Sequence, residues 1–182
     1  MITWLKAEEQ HQHKNGGGWV ANTATVKDSV YIGANAQVYG NARVYGNAQV
    51  YDNAQVSGNA QVYGNAQVYG DAWVSGNAQV YGNARVCGDA RVFGDAWVHG
   101  NAQVCGSARV FGDAWVETPL FIQGTKHGVS NSSYGKLSIG CVTLTFAEWK
   151  KQYRALGKRE GYTEKQIKEY GAIIALATKI GK

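Results

Sequence analysis

VYGNARVYGNAQVYDNAQVSGNAQVYGNAQVYGDAWVSGNAQVYGNARVCGDARVFGDAWVHGNAQVCGSARVFGDAWV, residues Val38–Val116, repeats every six residues without a slip. A valine marks each unit, and an alanine stands two residues before it. Two residues after each valine up to Val110 comes glycine, replaced once by Asp52. A strict period of this kind outranks every other local signal in a sequence. Six is incompatible with the 3.6-residue rhythm that would gather the valines on one helical face. Within A-x-V the residues alternate as in a strand, with Ala and Val on one side and the middle residue on the other. Gly-Asn and Gly-Asp supply turns in which a positive φ costs little. Short strand followed by turn, repeated, obliges the chain to coil.

The grid extends to earlier residues. Val20, Val26 and Ile32 fall on it, and Ala24 and Val30 take the small-residue position. One array therefore runs from Trp19 to Glu117, with degenerate first units, as terminal repeats usually are. The units V-Y-G-N-A-Q resemble the hexapeptide-repeat left-handed parallel β-helix family. That resemblance implies three units per triangular coil, so that residues eighteen apart stack. It also implies a homotrimer, the arrangement by which such proteins cover their faces. The fold expected is mainly β: a left-handed parallel β-helix followed by a C-terminal α-helical hairpin. Four segments are expected: a lead-in over 1–18, the β-helix over 19–117, a strand and loop connector over 118–144, and the hairpin over 145–182.

In columns of eighteen the interior is Val on Val and Ala on Ala, with no room for a ligand. Outside, the early coils carry Gln and Tyr, which stack well on themselves in register. The later coils differ. One face gains Trp73, Arg91 and Arg109 beside Phe93 and Phe111; a second gains Trp97 and Trp115 beside His99. Exposed apolar residues in a cluster mark an interface. Asp71 over Asp89, and Asp95 over Asp113, turn two corners acidic; these are read as solvated corners, with no metal site. Cys87 and Cys105 stack on adjacent coils of the third face, where in-register side chains are poorly aimed for a bond. Two free thiols are expected.

The ends read differently. In the lead-in, MITWLKAEEQ suggests a strand or short helix and HQHKNGGG a loop. His11 and His13 are assigned to that polar loop, and Trp19 to capping the open end of the solenoid. Beyond Glu117, Pro119 stops the grid. Short strands are expected at Leu120–Ile122 and Lys136–Thr143, around a polar loop from Gly124 to Gly135. Thr145-Phe-Ala-Glu148 and Thr163-Glu-Lys-Gln166 are capping boxes that start two helices. Phe146, Trp149, Tyr153 and Leu156 form an apolar stripe on the first helix. Ile167, Tyr170, Ile173, Ile174 and Ala177 do so on the second. Gly157 or Gly161 ends the first helix.

The net charge of +5 is unevenly distributed. Through Glu117 there are seven basic and nine acidic residues; beyond it, eleven basic and four acidic. Lys150, Lys151 and Arg154 head this basic tail, which attracts anions. With acids among the lysines and no recognised DNA-binding motif, nucleic acid is not the expected partner. No secretory leader and no apolar run of membrane-spanning length is evident, and a cytoplasmic location, in a bacterium or a phage-infected host, is the expectation.

No nucleophile–base motif, zinc-binding helix or phosphate loop occurs. The hexapeptide-repeat resemblance implies one enzyme alternative, an acyltransferase using acetyl-CoA with a histidine as general base; His99 and His127 are the candidates. The GNAQV/GNARV units, the GGGWV entry and the terminal hairpin also resemble uncharacterised hexapeptide-repeat proteins of phages and prophages. That resemblance implies a small accessory protein that antagonises host defence by holding a nucleotide signal or a host protein. Arg91, Arg109 and the lysines would take phosphate, and Trp97 and Trp115 would stack on bases. A non-enzymatic binding protein without a cofactor is the preferred reading.

Overall fold

The computed structural model describes residues 1–111, 114–115 and 119–180, with only the backbone of 114–115 considered. By its contacts the chain divides into two compact units. One comprises Met1–Ser107 and Phe111–Thr118, the other Ala108–Val110 and Pro119–Lys182.

The first unit is a parallel β-solenoid of about five turns. Two-residue strands such as Gln37–Val38, Arg43–Val44 and Gln49–Val50 stack into three parallel sheets. Partners are eighteen residues apart, as in Gln37 opposite Gln55 and Val38 opposite Val56. Each coil donates to the next: Gln37 N–H to Ala54 O at 3.0 Å, Tyr39 N–H to Val56 O at 3.0 Å, and Asn41 N–H to Gly58 O at 2.8 Å. Because corners as well as strands pair in this way, few backbone groups are left to solvent.

The core is the predicted one. From Ala36 to Val104 the Ala and Val of every unit are fully buried. Each Val contributes about 1.5–3 kcal/mol relative to exposure. The corner glycines have left-handed backbones, Gly64 at φ +71°, and a Cβ on Gly64 would stand 3.0 Å from the Gly82 nitrogen. The glycine therefore satisfies two demands, a positive φ and a close approach between coils. Asp52 adopts the same conformation at φ 55°. Its carboxylate accepts from Gly70 N–H at 3.1 Å, a bond glycine could not make.

The expected eighteen-residue register slips at the last described coil: Ala114, not Trp115, stands opposite Trp97. A slip of one residue exchanges the two faces of a strand. The expected Asp95–Asp113 stack falls outside the described residues, because Asp113 does.

The expected free thiols are corrected. Cys87 and Cys105 are joined as a disulfide, with Cα atoms 4.5 Å apart. The tight coil-to-coil spacing brings the two Cα atoms to the lower limit of the disulfide range, which overrides the unfavourable aim. Cys141 is a free, exposed thiol.

The lead-in is also more ordered than expected. A 3-10 turn, Ala7–Glu9, leads into a strand, Gln10–Gln12, antiparallel to Trp19–Ala21. HQ thus lies in a strand rather than a loop. This added strand covers the open edge of one sheet, the task assigned to Trp19, and Trp19 itself is only half-buried. Ile2 is fully buried, and its N–H donates to the Gln10 side chain at 2.9 Å.

The second unit packs a four-stranded antiparallel sheet against two helices. The strands are Phe121–Gln123, Gly128–Ser133, Lys136–Ile139 and Val142–Thr145. The segment expected as a polar loop thus contains the strand Gly128–Ser133. Its alternation of Val129, Asn131 and Ser133 with serines was hidden by polarity, but all five residues Val129–Ser133 are buried. Gly135 (φ 71°) and Gly140 (φ 58°) turn the chain between strands. Helix α1 spans Phe146–Arg159 and helix α2 Glu164–Ile180. Both capping boxes form: Glu148 N–H donates to Thr145 Oγ1 at 3.2 Å, and Gln166 N–H to Thr163 Oγ1 at 3.2 Å. Of the two candidate terminators, Gly157 lies inside α1, buried against Ile167, and Gly161, at φ +69°, follows the helix. Val129, Leu137, Trp149, Tyr170 and Ile174 form the core.

Candidate functional site

Two outer faces of the solenoid share a rule that columns of eighteen do not reveal. A side chain just after a valine reaches diagonally to the residue sixteen further on. Tyr39 donates to Gln55 Oε1 at 2.9 Å, Tyr45 to Gln61 at 3.4 Å and Tyr63 to Gln79 at 3.2 Å. Reading diagonals as well as columns would have found these pairs. Stacking reinforces them: Tyr45, Tyr63 and Tyr81 lie ring on ring at 4.8 Å. Burial, with Tyr45 and Tyr81 alongside, raises the Tyr63 pKa above its ordinary 10.0. At the corners asparagines pass amides from coil to coil, Asn59 to Asn77 at 3.1 Å and Asn77 to Asp95 at 3.0 Å. Asp71 accepts from Asn53 at 2.9 Å. The acidic corners thus continue the asparagine ladders.

On one face the diagonal changes its chemistry. Ser57 stands where tyrosine would, and Trp73 where glutamine would. The exchange keeps a hydrogen bond, Trp73 Nε1–H to Ser57 Oγ at 3.0 Å. It also brings an indole to the surface, 38 % exposed. On the next strand of that sheet Arg91 stands opposite Trp73, its guanidinium carbon 5.8 Å from the ring centroid. A cation held at that distance over an indole is a favourable pair. Beside them Phe93 and Phe111 are half-buried, with ring centroids 5.3 Å apart. Arg109 lies on the strand Arg109–Phe111 and is half-buried. Within the first unit, Trp73 and Arg91 offer an exposed aromatic side chain with a guanidinium beside it.

The other predicted residues divide. Trp97 is exposed on its own sheet, at 45 %. The side chain of Trp115 lies outside the described residues. His99 continues the tyrosine column, its ring 4.9 Å from that of Tyr81 and within 8° of parallel. Lys150, Lys151 and Arg154 are exposed on α1 of the second unit. His127 belongs to that unit too, in a short segment tied to α2. Tyr170 Oη donates to His127 O at 2.8 Å and accepts from the N–H groups of Lys126 and His127. Glu169 accepts from Thr125 N–H at 2.7 Å and Thr125 Oγ1 at 2.6 Å, which holds its carboxyl below the ordinary value. Lys126 lies 4.4 Å over the Tyr162 ring, and burial pushes the Tyr162 pKa up to about 12. Sequence reading missed this cluster, because its members come from three separate elements.

His11 and His13 also part company. His11 is exposed and its Nδ1 lies 3.0 Å from Asn22 Oδ1, whereas His13 is 5 % exposed. Among the described residues no three of His, Cys, Asp and Glu gather where they could hold a metal ion. No helix among them is long and apolar enough to cross a membrane.

Seven stretches of the chain match the family described as YdcK Beta solenoid repeat, at residues 36–52, 48–64, 60–76, 66–82, 78–87, 84–100 and 102–117. The matches begin inside the parallel coils, at residue 36, and touch neither helix. Comparison with curated proteins and with solved structures found no match.

Proposed function

We propose that this is a non-enzymatic binding protein of the hexapeptide-repeat, phage-associated type, in which the solenoid is the scaffold. Its ligand is a planar anion of nucleotide type, taken on the face that carries Trp73 and Arg91. The observation that carries the reading is the pairing of an exposed indole with a guanidinium 5.8 Å from its centroid. A base stacks on such a ring, and the cation meets its phosphate. Elsewhere on the described coils tyrosines stack on one another or bond to glutamines. His99 is engaged in ring stacking with Tyr81, which favours a structural role over that of a general base. Homotrimer assembly belongs to the same proposal.

Native mass spectrometry of the purified protein reads both its oligomeric mass and what it carries. A melting shift with a purine nucleotide that Arg91→Gln and Trp73→Ala each reduce at least tenfold in apparent affinity is expected. Absence of a shift with millimolar nucleotide would overturn the reading. Acetyl transfer from acetyl-CoA, lost in His99→Ala or His127→Ala, would replace it by the acyltransferase.

A further inference from the structure

Helix α1 presents a second charged surface, on the other unit. Its buried and half-buried side is formed by Phe146, Trp149, Tyr153, Leu156 and Gly157. At about 100° per residue, Lys150, Lys151, Arg154 and Lys158 fall in a single arc of about 100° on a different side. All four are exposed. The stripe runs for about 12 Å along the axis at 1.5 Å per residue.

The two acids in α1 or directly at its C-terminal end have other partners. Glu148 closes the capping box with Thr145 at 2.8 Å, and Glu160 pairs with Arg159 at 3.0 Å. Within the stripe, Lys158 has one ion pair, to Glu164 at a long 3.9 Å, and Arg154 lies 5.3 Å over the neighbouring Tyr153 ring. An exposed ion pair of that length holds little energy, and the exposed cation–π contact is weak and leaves the charge in place. The lysine and acid mixture that looked self-neutralising along the sequence is therefore segregated around the helix.

From this segregation we infer that α1 is a sequence-independent docking surface for the phosphate backbone of double-stranded DNA. Charge complementarity selects a polyanion. A membrane surface fits less well, because the arc contains only Ala147 between its cations and offers no large apolar side chain to insert. B-form DNA has a groove wide enough to receive a helix edge, whereas the major groove of duplex RNA is deep and narrow. The inference does not rest on the nucleotide reading, since the two surfaces lie on different units.

The test uses the full chain and a labelled 20-base-pair DNA duplex of arbitrary sequence, followed by fluorescence anisotropy. Each phosphate neutralised contributes about −0.9 to the slope of log affinity against log salt. Four cations set a slope of about −3 to −4, so that binding weakens about 10²-fold between 50 and 200 mM salt. The variant K150Q/K151Q/R154Q/K158Q is expected to melt as the parent does and to lose at least 10²-fold in affinity at 50 mM salt. A control with the same charge change in the first unit, K6Q/K27Q/R43Q/R85Q, is expected to retain binding within threefold. Equal losses in both variants would reduce the effect to net charge and overturn the proposal. So would no DNA binding at 50 mM salt, with or without binding to phosphatidylserine vesicles.

Discussion

The two units solve the burial problem in opposite ways. The solenoid buries many copies of two small side chains, Ala and Val, and no one of them is distinctive. The sheet-and-helix unit builds its apolar core around large side chains that are each placed once: Trp149, Tyr170, Ile174, Leu137. Stability in the first is spread along nearest-neighbour contacts between coils. In the second it is concentrated in a single core. The comparison also teaches where function can sit. Among the described residues the interior is filled by Ala and Val, so the groups the coils present to a partner lie on their outer faces and corners. A non-repeating core places individual groups, such as Tyr170 Oη, but spends most of them on holding itself together.

The sharpest way to break this contrast is Trp149→Ala. The indole is buried and donates to Leu137 O at 2.8 Å. Its removal is expected to cost about 3–5 kcal/mol. By hydrogen exchange, protection should fall in Lys136–Ile139 and α2 and hold in the coils around Val62. Uniform loss across both units would show one cooperative body instead of two. The disulfide gives the next largest effect. Closing a loop of eighteen residues is worth about 3 kcal/mol. Cys87→Ser should lower the denaturation midpoint accordingly, and thiol titration of the unreduced, unfolded parent should count one free thiol, from Cys141. Three thiols before any reductant would remove the cross-link from the account. A smaller effect is expected for Gly64→Ala. A positive φ with a side chain costs about 1–2 kcal/mol, with a further penalty from the 3.0 Å approach to Gly82. The same change at Gly161, which is left-handed with nothing within 4 Å of a Cβ, should cost only the backbone part. Equal losses in urea melts at the two positions would show that coil spacing contributes nothing.

The solenoid was legible because a period repeats its own evidence. One strand of two residues says little, but seventeen grid positions from Val20 to Val116 fix the coil and its core, while the stacking of residues eighteen apart was implied by the resemblance to the hexapeptide-repeat family. The second unit states each fact once. Gly128–Ser133 reads as a polar loop because its serines are buried only through long-range packing. The candidate site was half legible. Columns of eighteen collected Arg91, Phe93 and Phe111 correctly, and Trp73 as part of their ladder. The diagonal bond from Trp73 to Ser57 belongs to the sixteen-residue offset, which depends on how side chains lean between coils.

By itself, then, the sequence determined the parallel coil, the Ala and Val interior, the glycine corners and the two capped helices. Each of these follows from local alternation, turn chemistry or capping, which act within a few residues. Tertiary structure decided the rest. It paired Cys87 with Cys105, added Gln10–Gln12 to the open edge, and shifted Ala114 opposite Trp97. It also tied Thr125 and His127 to α2 through Glu169 and Tyr170. Those outcomes join residues distant in the chain, or depend on fractions of an ångström between coils. Such distances are set by packing, which no local pattern encodes.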